Sequence, residues 1–403
     1  MEKKTGLKLL AIGGCGSMGR YAMRSIQDFV TIDQIIIADI DYPTAQTFAD
    51  DLNQKASPLQ LDVNDSQAMK SAMVGIDIVV NTCGPYFRFA VPILRAAIDS
   101  GCHYLDICDD WEPTIEMLKL DEKAKAAGVS ATLGLGASPG LTNMMALIAA
   151  RELDAVIGIV TGWDMGGITL DETGANQSTN AAMLHGVEQM TGKVKIFTEG
   201  EFTMVKALQA RDVNYPGIAP FIGNVFGHPE ALTFPKYFTN LRESINLAHG
   251  GDANLKLLKL VMGLVNLRIL SKRKASNLLG WLENMQHKKV EGVGDNNPPV
   301  MYGLAQGFKD GNPASVGVCL ETKNSQGVST EQALGMGHVT GIPLACGVKL
   351  LAEGAITRTG VLAPEAGHID PRMFIADVFE ELSKAIDQPL GGFEDNVAIS
   401  RSW

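Results

Sequence analysis

Several features are scarce or absent in this 403-residue chain, and each absence excludes a class of protein. The six cysteines are scattered without a C-x-x-C pair, so we expect reduced thiols and neither a disulfide framework nor a metal site. No run of about twenty uncharged apolar residues occurs, which argues against a membrane-spanning helix and a membrane partner. The net charge of −11 argues against a broad phosphate-binding surface, so we expect no nucleic-acid partner.

The first residues of the chain also lack the pattern of a signal peptide. Residues 1–6 do not have the basic and apolar composition of a signal peptide, which together with the cysteine pattern predicts a cytoplasmic location. Hydrophobic residues make up 46% and charged residues 20%, as is typical of globular proteins. The length is enough for two domains.

A glycine-rich turn is the most informative feature that is present. Residues 8–12 predict a short buried strand, and residues 21–29 can form a helix. Between them, GCGSMG fits G-x-G-x-x-G, the pattern of a dinucleotide-binding turn. The alternative is a glycine turn in another kind of α/β protein. The cofactor-binding residues predicted here are Gly14, Gly16, Ser17, Met18 and Gly19.

Each glycine of the turn has a separate expected role. Gly14 is expected to permit the tight turn, Gly16 to let the backbone approach a pyrophosphate, and Gly19 to let the helix pack close to the strand. The N-terminus of that helix would then offer free N–H groups to the diphosphate.

Asp39 bears on which dinucleotide binds. It ends a second predicted strand, residues 34–39, and lies twenty residues after Gly19. Its carboxylate can accept hydrogen bonds from the ribose hydroxyls of NAD, whereas it would repel the 2′-phosphate of NADP. No Arg or Lys lies within residues 38–41, and the nearest basic residue downstream is Lys55. We therefore expect NAD as the cofactor, with NADP less favoured.

Strand and helix signals alternate through the first 150 residues, which is typical of βαβ units and a parallel sheet. After about residue 156, short strand-like stretches recur instead. The predicted fold is therefore α/β, with a Rossmann doubly wound parallel sheet followed by an α+β domain whose sheet is mostly antiparallel. The expected boundaries are 1–150 for the dinucleotide-binding domain, completed by a returning helix at about 338–366, and 151–337 with 367–403 for the substrate-binding and dimerisation domain.

A helical insertion interrupts the second predicted domain at residues 254–289. It contains the basic run Lys272-Arg273-Lys274. We interpret this run as a solvated helix end, and the alternative is contact with an acidic ligand or a partner subunit.

Taken in order, five stretches resemble the saccharopine dehydrogenase family, and NAD-linked lysine dehydrogenase-like members most of all. They are GCGSMG at 14–19, IVVN at 78–81 with GP at 84–85, GCHYLD at 101–106, GLGASPGLTN at 134–143 and GAITRTGVLAPE at 354–365. The resemblance implies a nicotinamide-dependent oxidoreductase that acts on a C–N bond of an amino acid or amino-acid conjugate. It also implies a two-domain architecture and a homodimer.

Parallel strands of such a sheet present their ligands at the carboxyl ends. Asp62 and Val63 follow the third predicted strand and are expected to face the adenine, although Asp62 could equally be a turn or cap acid. The residues expected beside the nicotinamide ribose, after the fourth strand, are Asn81, Thr82, Cys83 and Gly84.

Three further residues are predicted to handle the substrate. Asp106, at the end of the fifth strand, could bind an ammonium group or be a buried structural acid. Arg88 could pair with a substrate carboxylate or lie on the surface. Ser138 opens the helix after the sixth strand and also suits an N-cap, but other saccharopine reductases often have an acid at this position.

Charged and aromatic residues of the second domain are weaker candidates for substrate contacts. They are Trp163, Asp164, Arg211, His228, Lys236 and Arg242.

The predicted function is an NAD(P)-dependent dehydrogenase acting on a lysine-like or saccharopine-like small molecule. One alternative is a carboxynorspermidine-type enzyme that condenses an amine with an aldehyde reductively. The other is a protein that senses a dinucleotide without turning it over. No general base is identifiable from the sequence.

Overall fold

The computed structural model describes residues 6–165, 186–286, 298–330, 333 and 335–403. It divides into two compact units, each described separately below. Unit 1 comprises the described parts of Met1–Leu141 and Gln332–Phe393. Unit 2 comprises those of Thr142–Glu331 and Glu394–Trp403.

The strands and helices are numbered in chain order. The strands are β1 (Leu7–Ile12), β2 (Ile32–Asp39), β3 (Ala56–Gln60), β4 (Ile78–Asn81), β5 (His103–Asp106), β6 (Ser130–Thr132), β7 (Ala155–Asp164), β8 (Lys193–Thr198), β9 (Glu201–Lys206), β10 (Ala210–Val213), β11 (Phe221–Phe226), β12 (Glu243–His249), β13 (Met301–Lys309), β14 (Asn312–Leu320), β15 (Gly360–Leu362) and β16 (Val397–Ser402). The helices include α1 (Ser17–Ile26), α2 (Tyr42–Asp51), α3 (Ser66–Ala72), α4 (Tyr86–Asp99), α5 (Trp111–Leu118), α6 (Asp121–Ala126), α7 (Leu141–Arg151), α8 (Glu230–Tyr237), α9 (Asp252–Asn266), α10 (Lys272–Gln286), α11 (Met336–Ala352), α12 (Pro371–Ile386) and α13 (Phe393–Asn396).

Unit 1 is built on a parallel sheet. Within the described residues the strand order is β15-β6-β5-β4-β1-β2-β3, so the direction of winding reverses between β1 and β4. β1 pairs with β2 on one side and with β4 on the other, and Ile12 lies level with Ala38 and Asn81. Ligands of doubly wound sheets bind at such a reversal, outside the carboxyl ends of the strands. The predicted Rossmann sheet is confirmed, with β15 as a further strand at one edge.

Helix α11 packs against α1, the helix that follows the glycine turn. A Cβ atom at Gly341 would lie 2.6 Å from the Cβ of Tyr21 and 2.8 Å from the carbonyl oxygen of Met18. At Gly337 it would lie 2.1 Å from the ring of Tyr21. These two glycines therefore allow the helices to approach closely. The returning helix, expected within about 338–366, spans Met336–Ala352.

The bounds of unit 1 differ from the expected domain bounds near the C-terminus. Residues 367–393, which we expected in the second domain, belong to unit 1. The physical reason is α12, which packs on α11 and buries Phe374, Phe379 and Leu382. Lys349 of α11 also lies 3.9 Å from Glu381 of α12. Of the tail, residues 394–403 belong to unit 2.

Unit 2 contains a mixed, mostly antiparallel sheet, as predicted. In the part of the chain that the structure describes, its main path is β10-β11-β12-β7-β13-β14-β16, and β8 pairs with β12 and β9. Along this path β7 and β12 are parallel, and the other neighbours are antiparallel. Leu304 on β13 joins an apolar cluster on one face, while Gly303 meets the backbone of Ala146 in α7 on the other.

Three observations concern membrane-spanning helices, metal sites and disulfides, which the sequence predicts to be absent. None of the described helices is long and apolar enough to cross a membrane. The described residues contain no group of three or more His, Cys, Asp or Glu that could hold a metal ion. All six cysteines are unpaired thiols.

Candidate functional site

The glycine turn connects β1 to α1 at the carboxyl edge of the unit 1 sheet. Gly13 has a φ of +75°, and its N–H donates to the carbonyl oxygen of Ala38 at 2.9 Å. The left-handed residue of the turn is therefore Gly13, which lies one residue before the G-x-G-x-x-G pattern. Gly14 is needed for space, because a Cβ atom there would lie 2.6 Å from the Cβ of Ala11.

Gly19 and Gly16 differ in what surrounds them. A Cβ atom at Gly19 would lie 2.7 Å from Oγ1 of Thr82 and 2.8 Å from the carbonyl oxygen of Gly13, so α1 packs directly on the strand ends. Among the described residues, a Cβ atom at Gly16 would meet only the carbonyl oxygen of Gly13 within 4 Å, at 3.1 Å. The protein's own packing therefore leaves space at Gly16 that a side chain would fill.

The N-terminus of α1 begins at this space. Gly16 is its N-cap residue, no side chain of the described chain caps it, and its first turn has no acidic residue. The N–H groups of Ser17, Met18 and Gly19 are therefore available at the positive end of the helix dipole. An open glycine cradle in front of a helix N-terminus fits a diphosphate group.

Asp39 lies at the end of β2, next to this turn. Its Oδ2 accepts a hydrogen bond from Sγ of Cys15 at 3.1 Å, and its Oδ1 accepts one from the N–H of Asp41 at 3.0 Å. Burial and the hydrogen bond to Asp39 raise the pKa of the Cys15 thiol to about 12. Cys15 therefore stays protonated and holds the carboxylate beside the glycine turn.

Arg20 is a residue of this region that the sequence analysis missed. Its Nε donates to the carbonyl oxygen of Cys15 at 2.6 Å, and its guanidinium carbon lies 4.7 Å from the centre of the Phe48 ring. Arg20 lies upstream of Asp39 along the chain, within the helix that follows the glycine turn. The turn of α1 places a cation next to Cys15, the residue that Asp39 contacts.

The segment after β4 packs on the glycine turn from the other side. The Oγ1 of Thr82 donates to the carbonyl oxygen of Gly13 at 2.8 Å, and its N–H donates to that of Ile12 at 2.9 Å. The backbone of Cys83 lies 3.0 Å from the position of a Cβ atom on Gly13. Gly84 follows and is exposed. The structure thus brings the glycine turn, Asp39 and residues 82–84 together.

Asp106 is fully buried and is linked to the same strand ends. Its Oδ2 accepts from the hydroxyl of Tyr104 at 2.8 Å, and that hydroxyl accepts from Nδ2 of Asn81 at 2.9 Å. Asn81 in turn accepts from the N–H of Cys83 at 3.0 Å. The Oδ1 of Asp106 accepts from the N–H groups of Gly134 and Cys108, at 2.6 and 3.1 Å. One chain of hydrogen bonds therefore joins the ends of β4 and β5 to the turn after β6.

These contacts bear on the prediction that Asp106 contacts the substrate. Both of its carboxylate oxygens are occupied by donors from the protein. Burial raises its pKa to about 6, although the three hydrogen bonds act in the opposite direction. Its role in catalysis stays a prediction, but the geometry favours a positioning role over direct contact. Tyr104 could have been found from the sequence, since it lies two residues before Asp106 on the same face of a strand.

Asp62 and Arg88 form a second, exposed group. The Oδ1 of Asp62 accepts from the N–H and Nδ2 of Asn64, at 2.9 and 2.8 Å, and these hydrogen bonds lower the pKa of Asp62. Arg88, in the first turn of α4, donates from Nη2 to Oδ1 of Asn64 at 3.0 Å. Asp62 therefore has the contacts of a turn acid, and Val63 beside it is half-buried.

Ser138 belongs to neither of these groups and lies in the turn between β6 and α7. Within this turn the N–H of Gly136 donates to the carbonyl oxygen of Pro139 at 2.9 Å. Because α7 begins at Leu141, Ser138 precedes the helix by three residues and is not at the N-cap position that we expected.

Unit 2 contains a buried polar cluster of its own around Glu230. The Oε1 of Glu230 accepts from Oγ1 of Thr142 and from Nδ2 of Asn246, both at 3.1 Å. The indole of Trp163 donates to Oδ1 of Asn246 at 3.2 Å and stacks on His228, with ring centres 5.8 Å apart. Of the candidates in this unit, Trp163 and His228 thus share one cluster. Glu230 and Asn246 were missed because nothing in their local sequence marks them.

Comparisons with known proteins place this geometry in context. Residues 9–132 match the family model described as saccharopine dehydrogenase NADP binding domain. Carboxyaminopropylagmatine dehydrogenase of Synechocystis sp. is 23% identical over 401 residues, which covers 92% of this chain and 94% of that protein. The NADP(+)-dependent, L-glutamate-forming saccharopine dehydrogenase of Pyricularia oryzae is 29% identical over 105 residues, 26% of this chain and 22% of that protein.

A solved structure extends the likeness to the fold of nearly the whole chain. Apo saccharopine dehydrogenase (L-Glu forming) from Saccharomyces cerevisiae superimposes with a TM-score of 0.62 at 15% identity. The match covers 99% of this chain and 100% of that one.

Replacing Asp106 by Asn tests whether it is a buried structural acid. Its raised pKa, about 6 against 3.8, means that its contribution to stability is present below pH 4 and is lost as the pH rises through 6. Asparagine does not ionise, so the stability of the Asp106→Asn variant does not fall in this way as the pH rises. We expect the free energy of unfolding of the variant, relative to the original protein, to rise by about 2 kcal/mol between pH 4 and 7. Urea unfolding at a series of pH values measures it, and parallel profiles would contradict the assignment.

Proposed function

The chain belongs to the saccharopine dehydrogenase family, and from this we propose that it is an NAD(P)-dependent oxidoreductase acting on a C–N bond of an amino-acid conjugate. The observation that carries the proposal is the space at Gly16 in front of the uncapped N-terminus of α1. The family model covers this turn, β2 and β4, so the likeness and the geometry refer to the same residues.

The residues that would hold the dinucleotide lie on three connections of unit 1. The cradle of Gly16, Ser17 and Met18 would bind the diphosphate. Asp39 would bind the ribose next to the adenine, and residues 82–84 would lie along the other ribose. When bound, the nicotinamide supplies the hydride acceptor or donor.

The substrate class follows from the names of the relatives. One relative is named for carboxyaminopropylagmatine, in which a fragment with a carboxyl and an amino group is attached to agmatine. Another is a saccharopine dehydrogenase that forms L-glutamate. We infer a substrate in which an amino-acid fragment is joined to a second fragment through nitrogen. Oxidation removes a hydride from carbon and a proton from that nitrogen, and addition of water then releases a carbonyl compound and a primary amine.

Asp106 would act in this reaction through other residues. Its hydrogen bonds fix Tyr104, and through it Asn81 and the segment that starts at Cys83. Burial raises the pKa of the Cys83 thiol to about 11, so this side chain stays neutral beside the cofactor. Asp106 is thus a positioning residue for the segment after β4.

Turnover of a conjugate tests the function. We expect purified protein to change the absorbance at 340 nm with NAD or NADP and an amino-acid conjugate from a panel containing saccharopine, lysine and agmatine- or polyamine-linked amino acids. Gly16→Ala is the variant that tests the role of the cradle. Its Cβ atom would fill the cradle but would contact, of the protein, only the carbonyl oxygen of Gly13 among the described residues. It should lower turnover more than about tenfold with an unchanged melting temperature. Tight NADH binding without turnover of any conjugate would contradict an enzymatic role.

The choice of cofactor is a separate proposal. We propose that NAD is preferred, since the carboxylate of Asp39 is fixed beside the glycine turn, although the family model is named for NADP. The guanidinium of Arg20, next to Cys15, gives partial tolerance of a 2′-phosphate.

Replacing Asp39 by Ser measures this preference. The variant loses the acceptor for the ribose hydroxyls and the repulsion of a 2′-phosphate, so affinity for NAD should fall at least about tenfold more than affinity for NADP. Asp41→Ser is the matched control, because Asp41 contacts Thr44 and serine is also a good N-cap residue. Titration of protein fluorescence with each reduced cofactor gives the affinities. An equal loss for both cofactors would refute the preference.

A further inference from the structure

The helical insertion of unit 2 has a charge opposite to that of the rest of the chain. Residues 253–282 contain no Asp or Glu but have six basic residues: Lys256, Lys259, Arg268, Lys272, Arg273 and Lys274. Since the whole chain has a net charge of −11, the remaining residues have a net charge of −17 (−11 minus +6). The dinucleotide site uses none of these cations.

The inner face of this insertion accounts for part of its apolar residues. Helices α9 and α10 form a hairpin, which we call the cationic hairpin (residues 252–286). Val261, Met262 and Val265 of α9 are buried in a cluster with Phe226 and Ala248. This face attaches the hairpin to unit 2.

A second side of α9 has leucines that are not part of this cluster. They lie at positions 257, 260, 264 and 267, a spacing that places them along one side of a helix. Leu260 is 62% exposed and Leu257 37%, while Leu264 is half-buried. Lys256 and Lys259 lie along one edge of this row. Helix α9 therefore has two apolar sides, and the outer apolar side has a basic edge.

The connection between α9 and α10 continues the row to the tip of the hairpin. Leu267 and Ile269 are 71% and 70% exposed there, among the highest values for aliphatic side chains of the described chain. Arg268 lies between them with a φ of +59°, and the exposed cations Arg273 and Lys274 follow at the start of α10. Lys272 lies 3.8 Å from Glu188, so it is partly neutralised.

We propose that the tip of the cationic hairpin binds the surface of an anionic lipid bilayer. A few aliphatic side chains that enter the acyl boundary, next to Lys and Arg at the level of the headgroups, are the features of peripheral membrane binding. The expectation of no membrane partner was based on the lack of a spanning helix, which a peripheral contact does not need. The inference is independent of the proposed function.

A nucleic acid or a second copy of this chain would match fewer features of the tip than a bilayer does. On a nucleic acid, the cations would be satisfied, but Leu267 and Ile269 would stay in water, and neither is an aromatic residue that could stack on a base. A second copy of the acidic chain is complementary in charge. The tip, however, has two main aliphatic side chains, and the surface area that they could bury is far less than the roughly 800 Å² per partner of a stable interface. A bilayer satisfies both the cations and the aliphatic residues.

Flotation of the full-length protein with lipid vesicles tests the proposal. Vesicles of phosphatidylcholine are compared with vesicles containing about 30% phosphatidylglycerol. We expect at least about tenfold more bound protein on the anionic vesicles, and loss of most of it when NaCl is raised from about 0.1 to 0.5 M. Leu267→Ser with Ile269→Ser should lower binding about tenfold. Arg273→Gln with Lys274→Gln should lower it about as much.

The matched control is Val30→Ser with Val74→Ser, which removes two aliphatic side chains that are each 79% exposed in unit 1. This variant should bind vesicles like the original protein. Circular dichroism and melting temperature verify that all variants are folded. Absence of vesicle binding, or binding that the Leu267 and Ile269 changes do not weaken, would overturn the proposal. So would a hairpin-dependent affinity for a labelled oligonucleotide, or a dimer in light scattering that the same changes dissociate, in place of lipid binding.

Discussion

The site in unit 1 depends on the close approach of three backbone segments at the reversal between β1 and β4. Gly19 at the start of α1 leaves room for Thr82, whose hydroxyl donates to the carbonyl oxygen of Gly13. A side chain at Gly19 would separate α1 from the strand ends. It would move the helix N-terminus away from the segment after β4. The position of the proposed diphosphate cradle relative to residues 82–84 is therefore determined by packing within the protein.

Two further groups hold this junction in place. On the outer side, Gly341 lets α11 pack against α1. On the inner side, the buried chain from Asp106 through Tyr104 to Asn81 fixes the backbone where β4 ends. Burial disfavours the charged carboxylate and raises its pKa, and three hydrogen bonds offset only part of this effect. Both groups act on the geometry of the site without lining it.

Much of the fold could be predicted from the sequence, and the reasons are local. The apolar strands and the glycine turn are contiguous patterns, so β1, α1, β2 and the parallel sheet follow from them. The fit of Gly16 to a diphosphate also follows from spacing. Contacts between distant segments could not be predicted in this way. Arg20 reaches Cys15 through the turn of α1. Likewise, the hydroxyl of Tyr104 joins Asp106 at the end of β5 to Asn81 at the end of β4.

Some differences have a purely three-dimensional origin. Gly13 and not Gly14 has the positive φ, because the turn starts one residue before the G-x-G-x-x-G pattern. Residues 367–393 join unit 1 because α12 covers α11, and no local signal in the sequence marks such a return. The exposure of Leu267 and Ile269 could not be predicted either, since aliphatic residues in a helical pattern suggest burial.

The proposed role of the cradle in unit 1 is to bind a nicotinamide dinucleotide. Hydrogen–deuterium exchange of the whole protein with and without saturating NADH or NADPH tests this role. We expect slower exchange in peptides covering residues 13–20, 39–41 and 82–84, and unchanged exchange in the cationic hairpin. Unchanged exchange at residues 13–20 with both cofactors, or protection confined to unit 2, would contradict it.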